Sequence, residues 1–149
     1  MSGYSVTRVY PYPVDEVWAV VTRAELVARW TTTGRGGRPE GFAAIPGTRF
    51  RFVGRPTIGW AGVVFCEVVA VDPPHALHYT WRGEEGADSV TDVRYSLEEV
   101  PRGTRFTWSH TGFAGVGGFA MSRLLGRVRR RMLSEGVPAV LEEYHRAGS

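Results

Sequence analysis

The side chains here that could do chemistry are four histidines, one cysteine, a few buried-looking tyrosines and many arginines. The histidines stand at 75, 78, 110 and 145, and the cysteine at 66. A free imidazole titrates near pH 6.5, which suits general acid or base work at neutral pH. His110 is the best placed of them, because it follows Phe106 and Trp108 on one parity of an alternating segment. No histidine stands at structural-zinc spacing from another histidine or from Cys66, so no metal site is expected. Ser109 and His110 are neighbours, and on a strand their side chains leave by opposite faces, which argues against a nucleophilic triad. The glycine clusters GRGG (34–37) and GVGG (115–118) lack the flanking strand and helix of a phosphate loop.

All 18 basic residues are arginine, and the chain has no lysine, asparagine or glutamine. Schiff-base lysines, P-loop lysines and carboxamide oxyanion donors are thereby excluded. Arg127, Arg129, Arg130 and Arg131 form a run, read as the solvated face of a helix and offset by Glu135, Glu142 and Glu143. The alternative is an arginine near a cavity mouth that attracts an acidic ligand or a carrier-bound acyl chain. A nucleic-acid surface would need a larger basic stripe with interleaved aromatics, so no nucleic-acid partner is expected at a net charge of +3.

The 149 residues make one domain's worth of chain, 1–149, with 43% hydrophobic and 22% charged residues, ordinary for a globular protein. The lone Cys66 suits a reducing compartment. The N-terminal residues show no basic start followed by an apolar run, and no apolar run approaches a membrane span. A cytoplasmic protein without a membrane partner is expected. The sequence leaves the oligomeric state open, a homodimer included.

The elements that must position these groups follow from periodicity. Tyr4–Tyr10 reads as a strand, stopped by Pro11 and Pro13. Val14, Val17, Trp18 and Val21 then fall at helical spacing, with Asp15 and Glu16 in the first turn, and Glu25–Trp30 makes a second short helix. Residues 31–47 read as a loop, and Thr48–Val53, Gly59–Asp72, Ala76–Arg82, Ser89–Val100 and Gly103–Thr111 as a meander of antiparallel strands. Apolar residues from Phe119 through Met121, Leu124, Leu125, Val128 and Met132 to Tyr144 mark one face of a long helix, with a kink or break expected at Gly136 and Pro138. The fold class is α+β: an antiparallel sheet of six to seven strands, two short helices after the first strand and a long C-terminal helix.

Strand parity then locates a pocket. A lone carboxylate, Glu67, is costly to bury, so the opposite parity, Trp60, Val64, Cys66, Val68 and Ala70, faces in. Phe50 and Phe52 join it, as do Leu77, Tyr79 and Trp81, then Val93, Tyr95 and Leu97, then Phe106, Trp108 and His110. From the helices, Trp18, Trp30, Leu124, Val128 and Met132 are expected to close the same space. Apolar walls with a few polar tips are the profile of a small-molecule site, although inward aromatics are also ordinary core.

Three segments carry a family resemblance. PYPVDEVWAVVTRAELVARW (11–30) resembles the opening helix pair, ending in Trp, of proteins related to the activator of the 90-kDa heat-shock protein ATPase. GVVFCEVVAVDPPHALHYTW (62–81) resembles their strand, proline corner and strand, and RGTRFTWSHTG (102–112) their Gly-Thr-Arg strand. The C-terminal helix departs from the pattern: Gly136-Val137 stands where the family often has Gly-Trp. The resemblance implies the helix-grip fold shared with START lipid-binding domains and polyketide cyclases, a curved sheet wrapped around the C-terminal helix. It implies a hydrophobic ligand, aromatic, polyketide-like or lipid-like, held between sheet and helix without a cofactor. The alternatives it leaves are a cyclase, aromatase or dehydratase in which His110, Tyr79 and Tyr95 orient the substrate and shuttle protons, and a co-chaperone-like interaction module.

Overall fold

A computed structural model describes residues 2–33, 37–54, 62–83 and 90–148. Strand β1 (Ser2–Tyr10) leads into helices α1 (Val14–Thr22) and α2 (Ala24–Thr31). Strands β2 (Arg38–Glu40), β3 (Arg49–Val53), β4 (Val63–Asp72), β5 (Ala76–Arg82), β6 (Thr91–Val100) and β7 (Gly103–Phe113) follow. Helix α3 (Gly115–Arg131) continues through a π-helical turn, Met132–Gly136, into α4 (Val137–Ala147). The seven strands form one curled antiparallel sheet in the order β1-β7-β6-β5-β4-β3-β2. The chain therefore has the helix-grip architecture.

Consecutive strands from β2 to β7 are sheet neighbours, every pair antiparallel. Only β1 travels, crossing to the far edge of β7, and α1 and α2 fill the connection it leaves. Alternation decides the faces. In β3, Phe50 and Phe52 are buried while Arg49 and Arg51 are exposed. In β6, Val93, Tyr95 and Leu97 are buried between more exposed neighbours. In β4 the alternation slips at a bulge: Val68 pairs with Tyr79, but Ala70 pairs with His78. Val69 and Ala70 consequently both face out, and Val71 packs against the core in the place expected for Ala70. The expected loop over 31–47 also contains β2, which extends the sheet by pairing with β3.

The C-terminal helix does not break at Gly136 and Pro138 but continues through the π-helical turn. Widening the turn over Met132–Gly136 draws the preceding carbonyls away from the proline ring, which would clash in a regular α-turn. The Leu133 carbonyl, whose partner five residues on would be the N–H that Pro138 lacks, accepts a hydrogen bond from Tyr10 Oη at 2.6 Å. Gly136 is required by close approach: a Cβ there would fall 2.9 Å from the Trp30 carbonyl oxygen. The widened turn thus seats the helix directly on α2. The preceding helix, α3, is built from poor material, with glycine at 115, 117, 118 and 126.

Candidate functional site: an aromatic interior around Arg129

The space between sheet and helix is organised around Trp108, fully buried on β7. Its ring meets Trp30 edge-on at 6.1 Å, Tyr79 at 6.2 Å and Tyr95 at 5.2 Å. Phe106 meets Tyr95 edge-on at 5.2 Å, and Phe50 meets Tyr79 at 5.1 Å. Offset and edge-on rings add about 0.5–1.5 kcal/mol per pair beyond burial, so this network is both wall and core. Val64, Cys66, Val68 and Val93 fill the sheet between the rings, and Met132 closes from the helix, all buried.

Sheet register brings the three residues expected to do chemistry onto this face. Tyr79 and His110 both pair with Val93 from opposite sides, and Tyr95 pairs with Trp108. Burial pushes the Tyr79 and Tyr95 phenols and the Cys66 thiol well above their ordinary values, so all three stay protonated at neutral pH. Among the described residues, neither the Tyr79 hydroxyl nor Trp108 Nε1 has a hydrogen-bond partner.

His110 is fully occupied. Thr91 Oγ1 lies 2.7 Å from Nε2 and 3.2 Å from the Trp81 carbonyl oxygen. The carbonyl can only accept, so the threonine proton goes to it, and Nε2–H donates to the threonine oxygen. Nδ1 is then the acceptor, and the Tyr4 hydroxyl donates to it at 3.3 Å. Burial, with a contribution from the Arg129 charge, pushes the imidazole down to about 3. The ring is neutral at physiological pH, with both nitrogens engaged.

Arg129 is the residue that sequence reasoning placed wrongly. Read as part of a solvated run, it is only 3% exposed. Its guanidinium carbon lies 4.4 Å from the Trp108 ring centre, 5.2 Å from Trp81 and 6.0 Å from Phe52. Nη1 contacts the Met132 sulfur at 2.9 Å, and Nε has no partner among the described residues. The Tyr4 hydroxyl neighbours both Arg129 and Trp108; burial raises that phenol and the guanidinium partly offsets the rise. The sequence did hold a signal: Arg129 sits three and four residues before Met132 and Leu133, both buried.

The helix is rotated relative to the face its apolar residues suggested. Ser122, Gly126 and Arg129 point inward, whereas Met121 is 46% and Leu124 56% exposed. Leu124 therefore does not line the interior, because the strip between α3 and β1 admits only small groups there, with Gly126 packed on the Tyr4 ring. Leu124→Ala is expected to change stability by less than about 0.5 kcal/mol, whereas Met132→Ala should cost about 2–5 kcal/mol, a contrast that urea unfolding would read. Trp81 and Val128 are partly buried against the core, Trp18 sits half-buried on α1, and Trp60 lies outside the described residues. No three His, Cys, Asp or Glu side chains gather as a metal site among the described residues, and no described helix is long and apolar enough to cross a membrane.

The family model described as Activator of Hsp90 ATPase homolog 1-like protein matches residues 11–134, the greater part of the sequence. The chain belongs to this family. Solved structures share its fold. Protein MLL2253 from Mesorhizobium loti superposes with a TM-score of 0.78 at 23% identity, over 95% of this chain and 98% of that one. CalU16 from Micromonospora echinospora gives 0.67 at 19% identity, over 97% and 84%. DynU16, a protein of the dynemicin biosynthetic locus, gives 0.73 at 23% identity, over 94% of this chain and 47% of its own. No curated protein matches the chain. The family match and the shared architecture agree with the resemblance carried by segments 11–30, 62–81 and 102–112.

Proposed function

We propose that this chain binds a hydrophobic small molecule, aromatic, polyketide-like or lipid-like, between the sheet and the C-terminal helix. The observation that carries the proposal is the set of buried polar groups left open around Trp108. The Tyr79 hydroxyl and Trp108 Nε1 are buried donors that complete no well-formed hydrogen bond among the described residues, with only the Tyr95 and Tyr4 hydroxyls beside them, set in apolar walls. An unsatisfied buried donor costs about 1–3 kcal/mol, and a ligand's oxygen atoms would remove that cost. The shared fold of DynU16, from a biosynthetic locus, is in keeping with such a ligand.

Binding is favoured over catalysis by the state of His110. A general acid or base works best with a pKa near the operating pH. Burial pushes His110 down to about 3, so the ring holds no extra proton to release near neutral pH and is a weak base. In a catalytic version, Tyr79, Tyr95 and His110 would serve to orient the substrate.

The test is thermal denaturation across a panel of aromatic polyketides, flavonoids and fatty acids. A ligand at about 100 times its dissociation constant adds about 2.7 kcal/mol, or roughly 5–10 °C in Tm for a chain of this length. No shift with any member would overturn the proposal. A second reading, a protein-interaction module, draws on the exposed Met121 and Leu124 beside the arginines of α3. It predicts that a Leu124→Glu variant loses a partner while keeping the panel response unchanged.

A further inference from the structure

Among the described residues, seven exposed or half-exposed arginines find carboxylates, among them Arg29 with Glu143, Arg51 with Glu40 at 2.8 Å and Arg131 with Glu135 at 3.4 Å, while Arg8 bonds Ser134 Oγ and the Thr7 carbonyl. Arg129, the buried one, has no carboxylate partner among the described residues. The titratable groups its charge acts on are Tyr4, Tyr79, Tyr95, Cys66 and His110, from β1, β5, β6, β4 and β7. Each of these is neutral at physiological pH. A guanidinium cannot shed its proton to escape burial. The rings of Trp108, Trp81 and Phe52 offset part of the desolvation, but they supply no hydrogen-bond acceptor. Around it, Trp108 Nε1 is a donor only, and the Tyr4 hydroxyl, which gives its proton to His110, has one oxygen beside both Arg129 and Trp108. Among the described residues, this centre is positive and leaves Arg129 Nε and Trp108 Nε1 without an acceptor.

We infer that the molecule bound in this interior carries an anionic oxygen head, a carboxylate by chemical class, that pairs with Arg129 while its apolar body lies against Trp81, Trp108 and Phe52. This rests on the binding function proposed above. The head would accept from Arg129 Nε, the donor left open, and from Trp108 Nε1, so that two buried donors from two side chains share one carboxylate.

A matched pair of probes tests this: naphthalene carboxylic acid and its uncharged carboxamide, titrated by calorimetry at neutral pH. The wild-type protein is expected to bind the acid at least about tenfold more tightly than the amide, the lower end of what a charge-assisted bond contributes. Arg129→Met should bring the two probes to within about twofold by weakening only the acid, since the amide never used the charge. Its ligand-free Tm should be no lower than that of the wild type, because an uncompensated buried charge has been replaced by an apolar chain of similar length. Should that variant fail to fold, Arg129→Lys keeps the charge and loses the Nε donor, and is expected to weaken the acid alone. Equal affinity of both probes for the wild type, or an acid preference that survives Arg129→Met, would overturn the inference and leave the binding function standing. Silence from both probes and from the whole hydrophobic panel would overturn the binding function itself.

Discussion

Trp30→Ala is expected to cost about 3–5 kcal/mol, enough to lower Tm by 10 °C or so and to unfold a marginal protein at body temperature. The indole is fully buried and its edge meets Trp108 at 6.1 Å. Truncation therefore opens a cavity at the point where α2, the sheet and the π-turn converge. It also removes a hydrogen bond that has no substitute. Val20 lies in the last turn of α1, where carbonyls have no intrahelical donor, and Trp30 Nε1 supplies one at 2.9 Å. Gly136 packs its backbone on the same residue, so the helix cannot relax inward without meeting the Trp30 carbonyl. Trp30→Phe separates the two contributions: it keeps most of the packing and loses the bond, at about 1–2 kcal/mol by chemical denaturation. If Trp30→Ala costs less than 1 kcal/mol or so, this junction does not hold α2, the sheet and the π-turn together.

Acid should destabilise this protein through His110. The ring titrates near pH 6.5 when unfolded and is pushed down to about 3 when folded. Between those values the unfolded chain holds a proton that the folded chain does not, so stability is full above about pH 6.5 and falls as pH drops through the window to about 3. The loss amounts to about 2 kcal/mol between about pH 8 and pH 5 and to about 4 kcal/mol by about pH 3. The control is His110→Phe. It removes one hydrogen bond each from the Thr91 and Tyr4 hydroxyls and so begins less stable, but it has no imidazole to protonate. The gap between the two proteins is expected to narrow by about 2 kcal/mol on moving from about pH 8 to pH 5. A constant gap would show that the imidazole is not held neutral.

How far the sequence could be read depends on which signal each element carries. Period-two alternation is unambiguous where a charge marks the outer face. That is why Phe50 and Phe52 against Arg49 and Arg51, and Tyr79, Tyr95, Trp108 and His110 on their strands, were assignable without coordinates. The parity failed in β4, where the bulge at Val69 inserts one residue and carries no compositional mark: Val68, Val69, Ala70 and Val71 are all apolar. The C-terminal helix failed for a different reason. Apolar periodicity assumes that the inward face is the greasy one. In α3 that face is Ser122, Gly126 and Arg129, and the greasy residues Met121 and Leu124 are outside. A cation can occupy an inward position only because the opposite sheet face offers Trp81, Trp108 and Phe52 to lie against, and no helix-local rule sees a sheet. His110 lies on the buried face its parity predicts, but its protonation state was not legible, because it depends on Thr91 and Tyr4, distant in sequence and adjacent only through the register of β5, β6, β7 and β1.

The four glycines of α3 have a consequence for traffic. Each weakens a helix by about 1 kcal/mol relative to alanine, so this segment has little intrinsic reason to stay wound and is held in place by what it covers. The sheet beneath it is a continuous ladder of seven strands and cannot part without losing many backbone bonds at once. The roof is therefore the weaker side, and on the binding proposed above a guest would enter and leave by fraying of α3, while one paired with Arg129 would hold that helix down.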